Sequence, residues 1–248
     1  MNYGEIMSLD RHRLMCGDAT KREDVEKLIA GEKVDLVLTD PLYGMKVQDK
    51  NGAIGNSKTH IAKLKEPVPL KSRQYPLLIG DNSQEAARKH YEIIKDVTDK
   101  IIMWGGQYFA HFLPISGAWI FWNKRTGNND FSDGELAWVS KGRKVKYYEQ
   151  LWSGVCMAGN YALNARGFRK GERTRLHPTQ KPVELHMSIL EDFGKEGDVV
   201  LDCFGGSGTT LIACEMTGRK CLMMELSPEY CDVVKERYEK VTQQLNLF

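Results

Sequence analysis

Val34-Asp35-Leu36-Val37-Leu38-Thr39 is an apolar, β-branched run that ends on Asp40-Pro41-Leu42-Tyr43-Gly44. A short continuous run of this kind reads as a strand buried on both faces, which points to a parallel sheet covered by helices. Gly44 lets the chain turn after it. In open α/β sheets reactive groups sit just beyond the carboxyl ends of strands, and Asp40 and Tyr43 fall there.

The remaining pattern extends that sheet. His12–Cys16, Lys100–Trp104, Ala118–Trp122, Tyr147–Ser153, Asp198–Phe204 and Lys220–Leu226 read as strands, while Glu135–Ser140 is short and ambiguous. Helices are expected from about Arg22 to Ala30, from a Ser83 cap to about Thr98, and from Gly105-Gly106 to Pro114. Further helices are expected after Pro182 to about Phe193, over Gly208–Thr217, and over Pro228–Gln244 with Pro at the first turn. Strands alternating with helices predict a doubly wound, mostly parallel α/β sheet. A length of 248 residues fits one domain spanning 1–248. Within it, residues 45–82 show no sustained period, and an excursion of that length in a compact domain is usually functional.

Charge is unevenly spread. Lys141–Arg175 holds nine Lys or Arg against Glu149 and Glu172, a net of +7. Met45–Gly80 holds seven against Asp49 and Glu66, a net of +5, which leaves −10 for the rest of a chain whose total is +2. Two concentrated basic segments are the footprint expected of contact with a polyanion. Segments 45–82 and 154–176 are therefore the candidate recognition elements, with Lys46, Lys144, Arg166, Arg169, Lys170 and Arg173 as candidate nucleic-acid contacts. Apolar stretches are too short to span a membrane, and the N-terminus lacks a signal-peptide pattern. The six cysteines form no Cys-x-x-Cys pair and fit reduced core thiols in a cytoplasmic protein. The five tryptophans fit the core better than stacking platforms, and His60, His90 and His111 show no partner in sequence.

Val199-Val-Leu-Asp202-Cys-Phe204-Gly205-Gly206-Ser207-Gly208-Thr209-Thr210 is a strand, a glycine turn and a helix start. Its glycines let a ligand approach the backbone, and the free N–H groups of the helix terminus face it. A P-loop would need a lysine before the Ser/Thr, and the dinucleotide fingerprint would need a third glycine where Leu211 stands. Glu225 ends the next strand, where an acid can bind ribose hydroxyls; that arrangement suits NAD and S-adenosylmethionine equally.

Joined together, these pieces resemble a known family. Asp40-Pro-Leu-Tyr43 is similar to the Asp-Pro-Pro-Tyr signature of amino methyltransferases. The Asp202–Thr210 segment resembles the cofactor motif of their β-group. His177-Pro-Thr-Gln-Lys-Pro182 resembles the segment preceding that motif, and Gly17-Asp18 the adenine-contacting site. The resemblance runs from about Arg13 to Tyr238. It implies a seven-stranded Rossmann-like methyltransferase sheet, circularly permuted, with Asp18 and Glu225 side by side and the chain ends meeting beside the cofactor. It implies S-adenosyl-L-methionine as cofactor, held by Asp18, Thr179, Gln180, Lys181, Pro182, Asp202, Phe204, Gly206, Ser207, Gly208, Thr209 and Glu225. No metal is called for. Asp40, Pro41, Leu42 and Tyr43 would form the catalytic loop, acting on the N6 amine of an adenine flipped out of double-stranded DNA. N4-cytosine methylation, adenine methylation in RNA, and a binding protein with an inactive methyltransferase fold are the alternatives; a homodimer is compatible with any of them. Leu42 departs from the family pattern. Leucine in place of proline loosens the loop by about 0.4–1 kcal/mol through unfolded-chain entropy, and leaves the Pro41 carbonyl in place.

Overall fold

The computed structural model describes residues 1–45, 81–125, 132–152, 176–177 and 179–245. Most of the two basic segments, with Lys46, Arg166, Arg169, Lys170 and Arg173, lies outside the described residues.

Nine strands form one sheet: β1 (Ile6–Leu9), β2 (His12–Cys16), β3 (Leu36–Thr39), β4 (Ile101–Trp104), β5 (Ala118–Asn123), β6 (Gly134–Val139), β7 (Val145–Glu149), β8 (Val199–Asp202) and β9 (Lys220–Glu225). Their order is β1-β2-β9-β8-β3-β4-β6-β5-β7. Neighbours from β2 through β4 pair in parallel, as do β5 and β7. β1 runs antiparallel to β2, and β6 antiparallel to both β4 and β5. The sheet is thus mostly parallel, as expected, but has nine strands rather than seven. β1 is an edge strand returned onto β2 by a tight turn in which Asp10 takes φ +50°, too short a unit to stand out by period. The ambiguous Glu135–Ser140 stretch is β6, and the strand expected at Tyr147–Ser153 begins earlier, at Val145.

Helices α1 (Arg22–Ile29), α2 (Glu85–Ile94) and α3 (Gly106–Phe109) cover one face. Helices α4 (Val183–Phe193), α5 (Thr209–Met216) and α6 (Pro228–Leu245) cover the other. Alternation along the strands serves both layers. In β3, Leu36 and Leu38 join the core under α4–α6, whereas Val37 joins the core under α1–α3. In α1, Val25, Leu28 and Ile29 make a buried stripe at helical spacing, and Ala30 ends the helix in the left-handed conformation with its N–H on the Glu26 carbonyl. Gln84, not Ser83, is the N-cap residue of α2; the Ser83 hydroxyl accepts only a long bond from the Glu85 N–H, 3.4 Å. α3 stops at Phe109, a single turn well short of Pro114. Trp104, Trp122, Trp138 and Trp152 are buried as expected.

Chain direction across the sheet reverses between β8 and β3: β9 extends one way from β8, and β4 the other way from β3. Such a switch point opens a crevice at the carboxyl ends of the two strands. The β2–β9 register places Cys16 opposite Glu225, and the Gly17 N–H donates to the Glu225 carbonyl at 3.0 Å, so Asp18 and Glu225 do lie side by side. The Met1 ammonium pairs with Asp232 of α6 at 2.8 Å. Among the described residues no helix is long and apolar enough to cross a membrane.

Leu38 is fully buried in the central strand. Leu38→Ala is expected to lower unfolding free energy by about 2–5 kcal/mol, read as a lower denaturant midpoint at an unchanged slope.

Candidate active site

A cleft of about 260 Å³ opens at the switch point, lined by residues that follow β2, β3, β8 and β9 together with the segment before α4. Asp18, Glu225, Leu226 and Ser227 line it beside β2 and β9, and Asp40, Leu42, Lys181, Asp202 and Thr210 line it around β3 and β8. Of the expected cofactor residues Asp18, Thr179, Gln180, Lys181, Asp202, Phe204, Gly206, Ser207, Thr209 and Glu225 all line it. Pro182 and Gly208 instead sit at the starts of α4 and α5.

The β8 turn is built from its own polar groups. Asp202 accepts from the Thr210 hydroxyl at 2.5 Å, the Thr39 hydroxyl at 3.1 Å and the Phe204 N–H at 3.1 Å. Burial still pushes its carboxyl up, to about 6. Glu225 accepts one N–H on each oxygen, from Gly206 at 2.8 Å and from Ser227 at 2.8 Å. Burial outweighs both bonds and lifts it to about 7. Gly206 adopts φ +51°, and a Cβ there would lie against the His177 ring, 3.5 Å away. Asp18 accepts from the Thr20 N–H and hydroxyl, and its own N–H donates to Asp24. Thr179 bonds the His177 ring through its N–H and hydroxyl. The Gln180 side chain accepts from the Leu176 N–H, and its carbonyl accepts from the Trp152 indole. Ser207 and Thr209 are tied to α6 by the Arg237 guanidinium.

Beyond β3, Asp40 has both oxygens engaged. The Tyr43 hydroxyl donates to one at 2.6 Å, and the Lys181 ammonium contacts the other. Burial pushes the Asp40 carboxyl up and Lys181 opposes that rise. The Tyr43 ring stacks on Tyr108 at 5.1 Å and meets Phe109 edge-on at 5.9 Å. After Gly44 the loop is pinned: the Asp81 carboxylate accepts the Gly44 and Met45 N–H groups at 3.0 and 3.1 Å. Lys181, expected among the cofactor contacts, has its ammonium at Asp40 and 3.2 Å from Glu135. A half-buried carboxylate between a cation and a phenol can accept hydrogen bonds from an amine and hold it in place.

Residues 34–236 match the N6_N4_Mtase family of DNA methylases. The chain belongs to this family. It is similar to the type II methyltransferase M.HpaI of Haemophilus parainfluenzae, 25% identical over 256 residues that cover 92% of this chain and 74% of the relative. It is also similar to the type II methyltransferase M.HinfI of Haemophilus influenzae, 26% identical over 89% of this chain and 68% of the relative. Among solved structures, PvuII DNA methyltransferase (cytosine-N4-specific) aligns with a TM-score of 0.57 at 17% identity, over 99% of this chain and 95% of that one. TTHA0409 of Thermus thermophilus, complexed with S-adenosyl-L-methionine, aligns with a TM-score of 0.50 at 20% identity, over 92% and 93% of the two chains. At such identities the likeness is one of fold.

The methylase site also contains residues that sequence reading passed over. Glu135 and Lys124 lie behind Lys181, Tyr108 lies under Tyr43, and Asp81 anchors the loop. His90 is fully buried in α2, its Nδ1 3.0 Å from the Ala19 carbonyl, which braces the Asp18 turn; burial lowers its pKa to about 4. His186 stacks on Trp104 and reaches the Thr210 hydroxyl at 3.1 Å. Apart from Lys124 and Glu135, at the paired ends of β5 and β6, these contacts join residues more than twenty positions apart, so no local spacing signals them. Of the candidate nucleic-acid contacts, the described one is Lys144, which is exposed just before β7.

Gly105 adopts φ +74°, and a Cβ there would fall 2.2 Å from the Tyr43 ring. Gly105→Ala should cost about 1–2 kcal/mol for the left-handed backbone alone. It should also displace Tyr43, so that the thermal midpoint and the methyl-transfer rate of the methylase fall together.

Proposed function

We propose that this DNA methylase transfers a methyl group from S-adenosyl-L-methionine to the exocyclic N6 amine of adenine in DNA. The observation that carries the reading is the Asp40 carboxylate at the mouth of the switch-point cleft, on the loop that follows β3.

The cleft fits the cofactor by its donor set. Glu225 and Asp18 offer carboxylates for ribose and adenine groups, Phe204 offers an aromatic wall, and Gly206, which has no side chain, lines the cleft with its backbone. Asp202, with no cation paired to it among the described residues, puts a carboxylate in the cleft where a sulfonium would lie. When bound, the cofactor supplies an electrophilic methyl group. Asp40 and the Pro41 carbonyl each accept one amine N–H, which turns the aryl lone pair out of conjugation and toward the methyl donor. Tyr43 releases its hydrogen bond and stacks on the base, which has been flipped out because its amine cannot be reached inside a duplex. Asp40 need not be a strong base, since the amine becomes acidic only as the methyl arrives. Most of the rate gain is therefore positioning. In this reading the basic residues Lys46, Lys144, Arg166, Arg169, Lys170 and Arg173 hold DNA phosphates. A carboxylate at position 40, where N4-cytosine enzymes of the group usually carry serine, favours adenine.

Asp40→Ala is expected to lower methyl transfer at least about a hundredfold while cofactor affinity stays near wild type. Mass spectrometry of nucleosides from treated DNA should find N6-methyladenine; N4-methylcytosine in its place would overturn the assignment of the base.

Glu225 gives a pH signature. Its carboxyl titrates near 7 in the free protein, and ribose hydroxyls favour the ionised form, so binding releases a proton below that pH. Cofactor affinity should rise roughly tenfold between pH 5.5 and 8, and Glu225→Gln should flatten most of that rise in calorimetric titrations.

A further inference from the structure

Four charges alternate behind the cleft. Lys181 contacts Asp40 and lies 3.2 Å from Glu135 of β6, and Glu135 takes Lys124, just after β5, at 2.5 Å. Lys181 is the most enclosed of them, with its side chain 5% exposed. Its ammonium also lies over the Trp104 ring, and that of Lys124 over the Trp122 ring. Each Asp40 oxygen has one partner in the free protein, Tyr43 on one and Lys181 on the other, so once Tyr43 has turned to the base the incoming amine competes with Lys181 for the carboxylate. A buried lysine with Asp40 as its only counter-ion could not let go without leaving an uncompensated charge, which is strongly unfavourable. Glu135 removes that obstacle.

We propose that Glu135, itself held by Lys124, is a positioning residue for methyl transfer: it receives Lys181 as the substrate amine takes Asp40, so the carboxylate is freed without stranding a buried cation. This rests on the reading of Asp40 as the amine acceptor. Glu135 stays ionised throughout the working range: burial opposes its charge, but Lys181 and Lys124 hold it down to about 2. Burial likewise opposes the charge of Lys181, yet Asp40 and Glu135 hold its pKa above the ordinary value. The other groups facing Asp40 are Tyr43 on its own loop, Tyr108 of α3 beneath that ring, and Asp202 of β8. His186 of α4 lines the same cleft and is neutral, because burial takes its pKa to about 3.

The test is a pair of variants with opposite expected signs. Glu135→Gln leaves Lys181 wholly on Asp40. Its kcat should fall about tenfold with cofactor affinity near wild type, and the acid limb of kcat/KM for DNA, at saturating cofactor, should move to lower pH. Lys124→Met leaves Glu135 with Lys181 as its one cation, draws that charge from Asp40, and should move the limb to higher pH. Shifts of about half a pH unit or more are expected, with Glu135→Asp restoring part of kcat. Limbs that stay put in both variants, or move the same way, would overturn the proposal. If Glu135→Gln melts early or loses cofactor affinity, the Lys124→Met limb decides alone: a move upward supports the hand-over and any other result refutes it. An active Asp40→Ala would instead remove the amine-acceptor reading itself, whatever the limbs do.

Discussion

Leu36 lies opposite Val200 and Val37 opposite Leu201, and that short parallel register between β3 and β8 sets the geometry of the cleft. It carries the two strands to the same height, so the Thr39 hydroxyl reaches Asp202 at 3.1 Å and Asp40 emerges beside the glycine turn. A slip of one residue would turn Leu36 and Leu38 to the face of α1–α3, and Val37 to the other. It would also move Asp40 off the cleft. Burial on both faces therefore fixes the register, and the register fixes the distance between the loop after β3 and the glycine turn after β8.

Electrostatics at the cleft follow from the same burial. Asp202 and Glu225 sit where water is scarce and their carboxyls rise to about 6 and 7. Neither has a cation within ion-pair reach among the described residues; hydroxyl and backbone N–H groups satisfy them instead. Asp40 and Glu135 differ, because Lys181 and Lys124 face them. Thus Asp202 and Glu225 face the cleft as carboxyls held only by neutral donors, while Asp40 is already paired with a cation of the protein. A ligand with hydroxyls at one end and positive charge near the middle suits that division.

Much of this was legible in the chain because it is local. The apolar run before Asp40, the glycine turn after Asp202 and the acid closing β9 each carry their meaning within a dozen residues, and the alternation of strands with helices gives the layers. What escaped was tertiary. Glu135 reads as one charge in an ambiguous stretch, since β6 is partly buried over its first half and buried over its second and so lacks a clean period, and its partner lies 46 positions away in sequence at Lys181. Lys181 itself was legible as part of a hexapeptide, but not the direction of its side chain. His90, without a visible partner in sequence, is buried against Ala19 because α2 packs on the turn that holds Asp18. The edge strands β1 and β7 were missed or displaced because single-sided strands of four or five residues give weak patterns.

The loop after β3 comes early in the chain and the glycine turn after β8 comes late, so the two parts that line the cleft are separated in sequence. The sheet removes the difficulty. β8 and β9 come late in sequence but insert between β2 and β3, two of the earliest strands. The Gly17 N–H to Glu225 carbonyl bond then joins the first turn of the cleft to the last strand, across more than two hundred residues of chain. Closing so long a loop costs entropy only as the logarithm of its length, whereas the parallel β2–β9 and β3–β8 pairings bury four strands on both faces. Position in the sheet, and not order in the chain, decides which groups meet, so a cleft of this type needs its strands at the switch point and is indifferent to which of them is made first.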